Sequence, residues 1–158
     1  MKPILSFFLV LSFLTVYSQD TTKINEINLL VSNINISTLQ IQRDTLIIDH
    51  PEMGLKTTTY LSMLVNNNQL LKFVNYVTTT MTENGVQKQM IASNTFYYNQ
   101  NKLIKVEEYL IEADQKRVAD WYYSQDSPLY YTLQSDRSEA RAALLLTMSQ
   151  AMLKQIIK

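Results

Sequence analysis

His50 is the only histidine of the 158-residue chain, which contains no cysteine. It lies in Asp49-His50-Pro51-Glu52 near Asp44, where possible metal ligands or a general base come closest together in sequence. The composition excludes thiol catalysis and histidine-rich zinc sites, and no G-x-S-x-G motif supports a serine triad around His50. Polar residues before a proline are ordinary loop composition, so we predict a solvated loop without catalytic or metal-binding residues. A hydrolase or metal-dependent enzyme using His50, Asp49 and Asp44 is kept as an alternative.

Other motifs for cofactor chemistry are missing from the sequence. The chain has only two glycines, Gly54 and Gly85, so it lacks the glycine-rich loops that bind phosphates and dinucleotides. Glu107 and Glu108 form the remaining acidic pair, but adjacent residues of a strand point to opposite faces and cannot act as a carboxylate dyad. We therefore predict no cofactor and no enzymatic activity.

Three aromatic clusters are the strongest candidates for binding. They are Phe96-Tyr97-Tyr98, Trp121-Tyr122-Tyr123 and Tyr130-Tyr131. Neighbouring strand residues point to opposite faces, so both faces of a sheet would carry rings. An uncovered face could bind a protein, peptide or glycan, because tyrosine combines apolar area with a hydrogen-bonding tip. We take Tyr98, Trp121 and Tyr123 as candidate binding residues; the alternative is that the aromatic residues only pair across strands.

The elements that must position these residues begin with a helix predicted over residues 22–44. Its apolar residues recur at spacings of three and four, typical of an amphipathic helix: Ile24, Ile27, Val31 and Ile34. Its first turn could be capped by Asp20, Thr21 or Thr22. Apolar and polar residues alternate after Ile36, so residues 37–48 fit a strand equally well.

Six strands are predicted within a sheet over residues 57–134. They are Thr57–Val65, Leu70–Met81, Val86–Tyr98, Leu103–Glu112, Arg117–Tyr123 and Leu129–Leu133, rich in threonine, β-branched and aromatic residues. Short joins cannot form parallel crossovers, so we predict an antiparallel meander. Asn84-Gly85 favours a two-residue type I′ turn, which needs positive φ at both positions.

A second amphipathic helix is predicted over residues 136–157. Asp136 and Glu139 have the spacing of a capping box, and Leu144 and Met148 continue an apolar stripe. Packing both helices on one sheet face is the simplest way to bury both stripes. The sequence thus predicts an α+β domain with two helices on one face of a meander.

Two hairpins look like copies of one unit. They are Val65–Phe73 (VNNNQLLKF) and Tyr98–Val106 (YNQNKLIKV), with a looser third over Tyr123–Tyr131. Their form is two aromatic residues, a polar turn and then Leu-Ile-Lys-Val. This form resembles the hairpins of YwqK-type and MORN-like repeats, although the repeat period here is irregular. The whole layout is similar to small exported bacterial proteins of uncharacterised function. The resemblance implies a meander over roughly residues 22–133 and implies no activity.

Residues 1–18 have the features of a secretory signal peptide. Lys2 precedes an apolar stretch from Ile4 to Val16, and we predict cleavage between Ser18 and Gln19. The stretch is shorter than the roughly 20 residues of a spanning helix, so we predict no stable membrane insertion after cleavage. Without cysteine, lipidation of an N-terminal cysteine and disulfides are excluded. We expect a periplasmic or secreted protein whose residues 19–158 form one domain.

The charge of the chain is balanced, with 14 basic and 14 acidic residues. No overall field favours nucleic acid or an anionic membrane. The leading hypothesis is an exported non-enzymatic domain that binds a protein, peptide or glycan through an uncovered aromatic sheet face or a sheet edge. The alternative from another class is a carrier that encloses a small apolar ligand inside a curled sheet. The sequence leaves the oligomeric state open.

Overall fold

The computed structural model describes residues 20–112, 115–133 and 135–156. The elements are α1 Thr21–Asn35, β1 Ile41–His50, a 3-10 helix Pro51–Met53, β2 Leu55–Asn66, β3 Gln69–Glu83, β4 Val86–Asn99, β5 Lys102–Glu112, β6 Gln115–Ser124, β7 Ser127–Tyr131 and α2 Ser138–Ile156. The strands form one antiparallel sheet in the order β1 to β7. The predicted α+β fold with an antiparallel meander is confirmed. The predicted leader and its cleavage site lie outside the described residues.

Two-residue turns join four of the strand pairs. Both residues of each turn have positive φ: Asn67-Asn68, Asn84-Gly85, Gln100-Asn101 and Gln125-Asp126. A type I′ turn requires positive φ at both positions. The backbone twist of this turn matches the twist of the flanking strands. The turn predicted at Asn84-Gly85 is confirmed. The other three turns use asparagine, glutamine and aspartate where glycine would be least strained.

The first helix is shorter than predicted and is followed by an additional strand. The Asp20 side chain caps α1, which ends at Asn35 instead of residue 44. Residues 41–50 form β1, so the described part of the chain has a seven-stranded sheet where six strands were predicted. The β-branched side chains of Thr45, Ile47 and Ile48 explain this result, because they lose rotamer freedom in a helix and fit the surface of a strand.

The two helices pack on opposite faces of the sheet, which corrects the expectation that they share one face. Ile27 of α1 belongs to a buried cluster with Tyr97 and Tyr122. Leu145 of α2 belongs to a separate cluster that includes Trp121. Consecutive rings of each aromatic cluster point to opposite faces, so each face carries apolar area that needs its own cover. We name the two sides the α1 face and the α2 face.

Both helices cover the same end of the sheet. The buried clusters contain strand residues close to the β4–β5 and β6–β7 turns, such as Ile104 in one cluster and Tyr123 in the other. Towards the end with the β3–β4 turn, the α1 face is exposed: Ile47 is 57% exposed, Tyr60 49% and Val118 58%. Part of the α1 face is therefore free of cover by either helix.

A buried ion-pair network lies where α1 meets the sheet. Lys105 is 6% exposed, and its Nζ lies 2.8 Å from Glu107 Oε1 and 3.2 Å from Asp120 Oδ2. Burial by itself lowers the pKa of Lys105, but the hydrogen bond and charge of Glu107 and the charge of Asp120 outweigh burial and raise it above its usual range. Tyr97 donates to Glu107 at 2.9 Å and accepts from Asn35 of α1 at 3.3 Å. Lys105 therefore stays protonated and is a structural cation, not a nucleophile or base.

Stability should fall as the pH rises from about 10 to about 12. Burial raises the pKa of Tyr97 and the pKa of Tyr98 to about 12, whereas an unfolded tyrosine has a pKa of about 10. The folded state holds these protons more tightly, so their contribution is complete below about pH 10 and is lost as the pH rises through the folded pKa. Urea midpoints across this range should show the decline, and Tyr98→Phe should make it less steep. An unchanged slope in that variant would contradict the assignment.

Candidate functional site

A row of tyrosines crosses the exposed part of the α1 face. Tyr60 on β2 lies directly opposite Tyr76 on β3. Tyr76 lies opposite Ser93 on β4, which in turn lies opposite Tyr109 on β5. At its ends, the same line continues to Thr45 on β1 and Val118 on β6. We call Tyr60, Tyr76 and Tyr109 the tyrosine row.

Residue spacing along the strands places the tyrosine row on the α1 face. Tyr76 follows Lys72 on β3, and Tyr109 follows Lys105 on β5, in each case by an even number of residues. Even spacing keeps side chains on one side of a strand. Lys72 donates to Asn35 of α1 at 2.7 Å, so its side of the sheet is the side on which α1 packs. None of the three tyrosines belongs to the cluster packed beneath α1.

The rings are spaced along a line perpendicular to the strands. The ring centroids of Tyr60 and Tyr76 lie 6.0 Å apart at an interplanar angle of 50°, a normal separation for an aromatic pair. Tyr109 lies two strands beyond Tyr76, about 10 Å across the sheet, so the whole row spans about 14 Å. Lys116 Nζ lies 5.2 Å from the centroid of the Tyr109 ring. The row is thus long and narrow.

Hydroxyl and aliphatic side chains flank the tyrosine row. On β2, β3 and β4, the neighbouring positions of the same face are Ser62, Val74, Thr95, Thr58, Thr78 and Ile91. None of these residues carries a charge. Charged residues lie at the two ends of the row: Arg43 on β1 at one end, and Glu107 and Lys116 beside Tyr109 at the other. The centre of this surface therefore offers rings, methyl groups and hydroxyl groups.

The candidate residues chosen from the sequence lie on the other face. Tyr98, Trp121 and Tyr123 are buried in the cluster beneath α2, with exposures of 0%, 1% and 1%. Tyr123 donates to the carbonyl oxygen of Ala142 in α2 at 3.0 Å. The structure brings the three residues together, but in the core and not on an open surface.

Sequence reasoning missed the tyrosine row because its alignment depends on two β-bulges. The β3–β4 register follows directly from the Asn84-Gly85 turn. In contrast, the β2–β3 and β4–β5 pairings each shift by one residue, near Leu64/Val65 and Tyr97/Tyr98. Without the first shift, Tyr60 would lie opposite Asn75, and Tyr76 would point to the other face. No residue pattern in the sequence marked these bulges.

The three residues of the enzyme alternative, His50, Asp49 and Asp44, do not come together in a site. Asp44 and Asp49 point to opposite faces of β1, and Asp44 and His50 are separated by about 20 Å along it. His50 Nδ1 lies 3.4 Å from Glu52 Oε1, and both side chains are exposed. Where a loop was predicted, the end of β1 is followed by the 3-10 helix. Among the described residues, no group of three or more histidine, aspartate or glutamate side chains could hold a metal ion.

A cleft of about 710 Å³ lies on the α2 face, between the sheet and the start of α2. Ala92, Leu110 and Trp121 contribute to its floor, Arg141 of α2 lines its wall, and Tyr109 of the tyrosine row also borders it. Arg141 Nε donates to Glu108 Oε1 at 3.1 Å. This hydrogen bond raises the pKa of Arg141 and links the start of α2 to β5. The volume falls within the range of about 300–1,000 Å³ that is common for small-molecule sites.

No family model matches this chain, and neither a curated protein nor a solved structure matches it. In the part of the chain that the structure describes, neither helix is long and apolar enough to cross a membrane. The arguments about function therefore depend on the geometry above.

Proposed function

We propose that this protein is an exported, non-enzymatic domain that binds an extended, uncharged glycan along the tyrosine row. The observation that supports the proposal is the alignment of Tyr60, Tyr76 and Tyr109 on the part of the α1 face that neither helix covers; Tyr60 is exposed, and Tyr76 and Tyr109 are half-buried. Export is proposed from the N-terminal sequence, in which an apolar stretch precedes the predicted cleavage site after Ser18.

The chemistry of the surface suits a sugar chain. Sugar rings have apolar C–H faces that pack on aromatic rings, and their hydroxyl groups need donors and acceptors at the edge of that contact. Tyrosine supplies both a ring and a polar tip. Serine and threonine hydroxyls flank the row at Ser62, Thr58 and Thr78. A row of about 14 Å perpendicular to the strands favours an extended chain over a single sugar.

An extended peptide is less well served by this surface. The face of a sheet presents side chains, whereas the backbone donors and acceptors that pair with an extended peptide lie along a sheet edge. A peptide across the tyrosine row would have to satisfy its own amide groups with a few hydroxyls. Nucleic acid is disfavoured because the positions on β2, β3 and β4 that flank Tyr60 and Tyr76 carry no basic residue to contact phosphates.

Affinity electrophoresis tests the proposal directly. The purified protein is run in native gels that contain a soluble β-glucan, an α-glucan, a mannan or heparin, beside a gel without polymer. We expect at least one neutral polysaccharide to retard the protein, with little effect of heparin. Retardation by heparin alone, or by no polymer, would contradict glycan binding at an uncharged face.

The cleft on the α2 face favours a second candidate function, the carriage of a small, largely apolar ligand. Its floor includes Ala92, Leu110 and Trp121, and its volume is about 710 Å³. Native mass spectrometry of protein purified under mild conditions should then show a bound small molecule. Ala92→Phe places a larger side chain on the floor and should reduce the bound fraction at least about fivefold, because it fills the space that the ligand needs.

Leu29→Ser on the exposed side of α1 is the matched control for that experiment, since Leu29 is 65% exposed and does not line the cleft. It should leave the bound fraction unchanged. If no ligand is bound, or if Ala92→Phe is occupied as fully as the unaltered protein, the carrier function is wrong. Neither result would bear on the glycan proposal.

A further inference from the structure

Strand β1 forms an unprotected apolar edge of the sheet. Among the residues that the structure describes, it pairs with β2 alone, and all ten of its residues are exposed. Three consecutive apolar residues, Leu46, Ile47 and Ile48, are 55%, 57% and 45% exposed. Such a run is unusual on a free surface, and an unpaired strand edge is a template for pairing with another strand.

The opposite edge of the sheet is built differently. β7 has five residues and contains Pro128, which cannot donate a backbone hydrogen bond. A short strand with a proline is a common protection against edge-to-edge pairing. β1 has ten residues with no proline, and its pairing with β2 shows no bulge that would twist the edge away. Only the β1 edge is therefore suited to continue the sheet.

We propose that β1 pairs antiparallel with β1 of a second copy of this chain, around a two-fold axis at Leu46. Leu46 then lies opposite Leu46 of the partner subunit, and the two sheets continue as one. The contact is isologous, as expected for the commonest class of homodimer. In this register, Arg43 of each subunit lies opposite Asp49 of the partner subunit.

Charge complementarity selects this register. Arg43 and Asp49 are exposed on the same face of β1, and within the described part of the chain neither side chain takes part in an ion pair. The two-fold axis at Leu46 makes the Arg43–Asp49 contact twice. Directly opposite residues must lie on the same face, so the nearest alternative register has its two-fold axis one residue away, at Ile47; it would place Asp49 opposite Thr45 of the partner subunit and lose both charge contacts. The sequence of β1 is therefore complementary to itself.

A second copy is favoured over an unrelated extended peptide because β1 of the partner subunit provides both the apolar centre and the matching charges.

The pairing also extends the α1 face across the dimer, so that the two tyrosine rows lie on one continuous face. Dimer formation does not depend on glycan binding, and either proposal can fail alone.

Sedimentation equilibrium of the purified protein tests the dimer. We expect a monomer–dimer equilibrium that Arg43→Glu and Asp49→Arg each weaken at least about tenfold, because each puts like charges opposite one another twice. Arg43→Glu/Asp49→Arg together should restore dimerisation, since the pair is re-formed with its signs exchanged. Circular dichroism melts check that each single variant is folded. A protein that remains monomeric at all concentrations, including one that instead binds an extended peptide at β1, would overturn the proposal. So would a dimer that the single variants do not weaken.

Cross-linking tests the register, and the absence of native cysteine makes it simple. Leu46→Cys should form a disulfide-linked dimer on mild oxidation, because directly opposite strand residues have Cα atoms about 4.5–5.5 Å apart, within disulfide range. Ile48→Cys on the same face is the matched control, since the two copies of residue 48 would be about 13 Å apart. Equal cross-linking of both variants, or cross-linking of Ile48→Cys alone, would overturn the register centred on Leu46.

Discussion

Replacing Tyr60, Tyr76 and Tyr109 together by serine should weaken binding to the retained polysaccharide on the order of 100-fold. Each ring that stacks on a sugar is expected to contribute about 1 kcal/mol, and the three contributions act on one extended ligand. Serine keeps a hydroxyl group and removes the ring, so the variant isolates stacking. The apparent dissociation constant follows from protein mobility at increasing polymer concentration.

The control for this triple variant is Leu29→Ser, which removes an exposed apolar side chain from α1 and should leave binding unchanged. The rings lie at positions outside both buried clusters, so the fold should survive their loss. Circular dichroism of the triple variant verifies this. If the folded triple variant binds as tightly as the unaltered protein, the tyrosine row is not the glycan site.

Trp121→Ala should destabilise the protein by about 3–5 kcal/mol, a large part of the total stability of a domain. Trp121 is 1% exposed in the cluster beneath α2, and its ring centroid lies 5.4 Å from that of Tyr131. Alanine would lose this packing and leave a cavity that the rigid sheet cannot fill. Urea unfolding followed by circular dichroism measures the change.

Val118→Ala on the same strand is the matched control, because Val118 is 58% exposed and its truncation removes little buried area. Its effect should stay within about 0.5 kcal/mol. A similar small loss for Trp121→Ala would contradict the placement of this ring in the core. The contrast separates a side chain of the core beneath α2 from one on the exposed part of the α1 face.

Local sequence signals predicted most of the fold. Residue alternation and short joins predicted the six strands that became β2 to β7, and Asn84-Gly85 predicted one turn. These signals were sufficient because each acts over a few neighbouring residues. The spacing of Ile27 and Val31 likewise marked the buried side of α1, where both residues are buried. These features depend on backbone preference and side-chain period alone.

The candidate site could not be predicted in the same way. Which face a helix covers depends on contacts between distant residues, and the aromatic clusters supplied rings to both faces. Tyr98, Trp121 and Tyr123 drew attention because they lie in clusters, yet clustering in these strands reflects core packing. The tyrosine row is formed from residues that are isolated in sequence, such as Tyr60 and Tyr109, and that two bulges bring into line.

The most direct measurement of the central claim is an NMR titration of the isotopically labelled protein with a soluble oligosaccharide of the retained polymer. Glycan binding along the tyrosine row predicts ring and amide shifts around Tyr60, Tyr76 and Tyr109, and around Ser93 between them. Trp121 and Arg141, which line the cleft away from the tyrosine row, give the comparison on the opposite face. Shifts confined to that cleft or to β1, with the tyrosine row unchanged, would contradict the account.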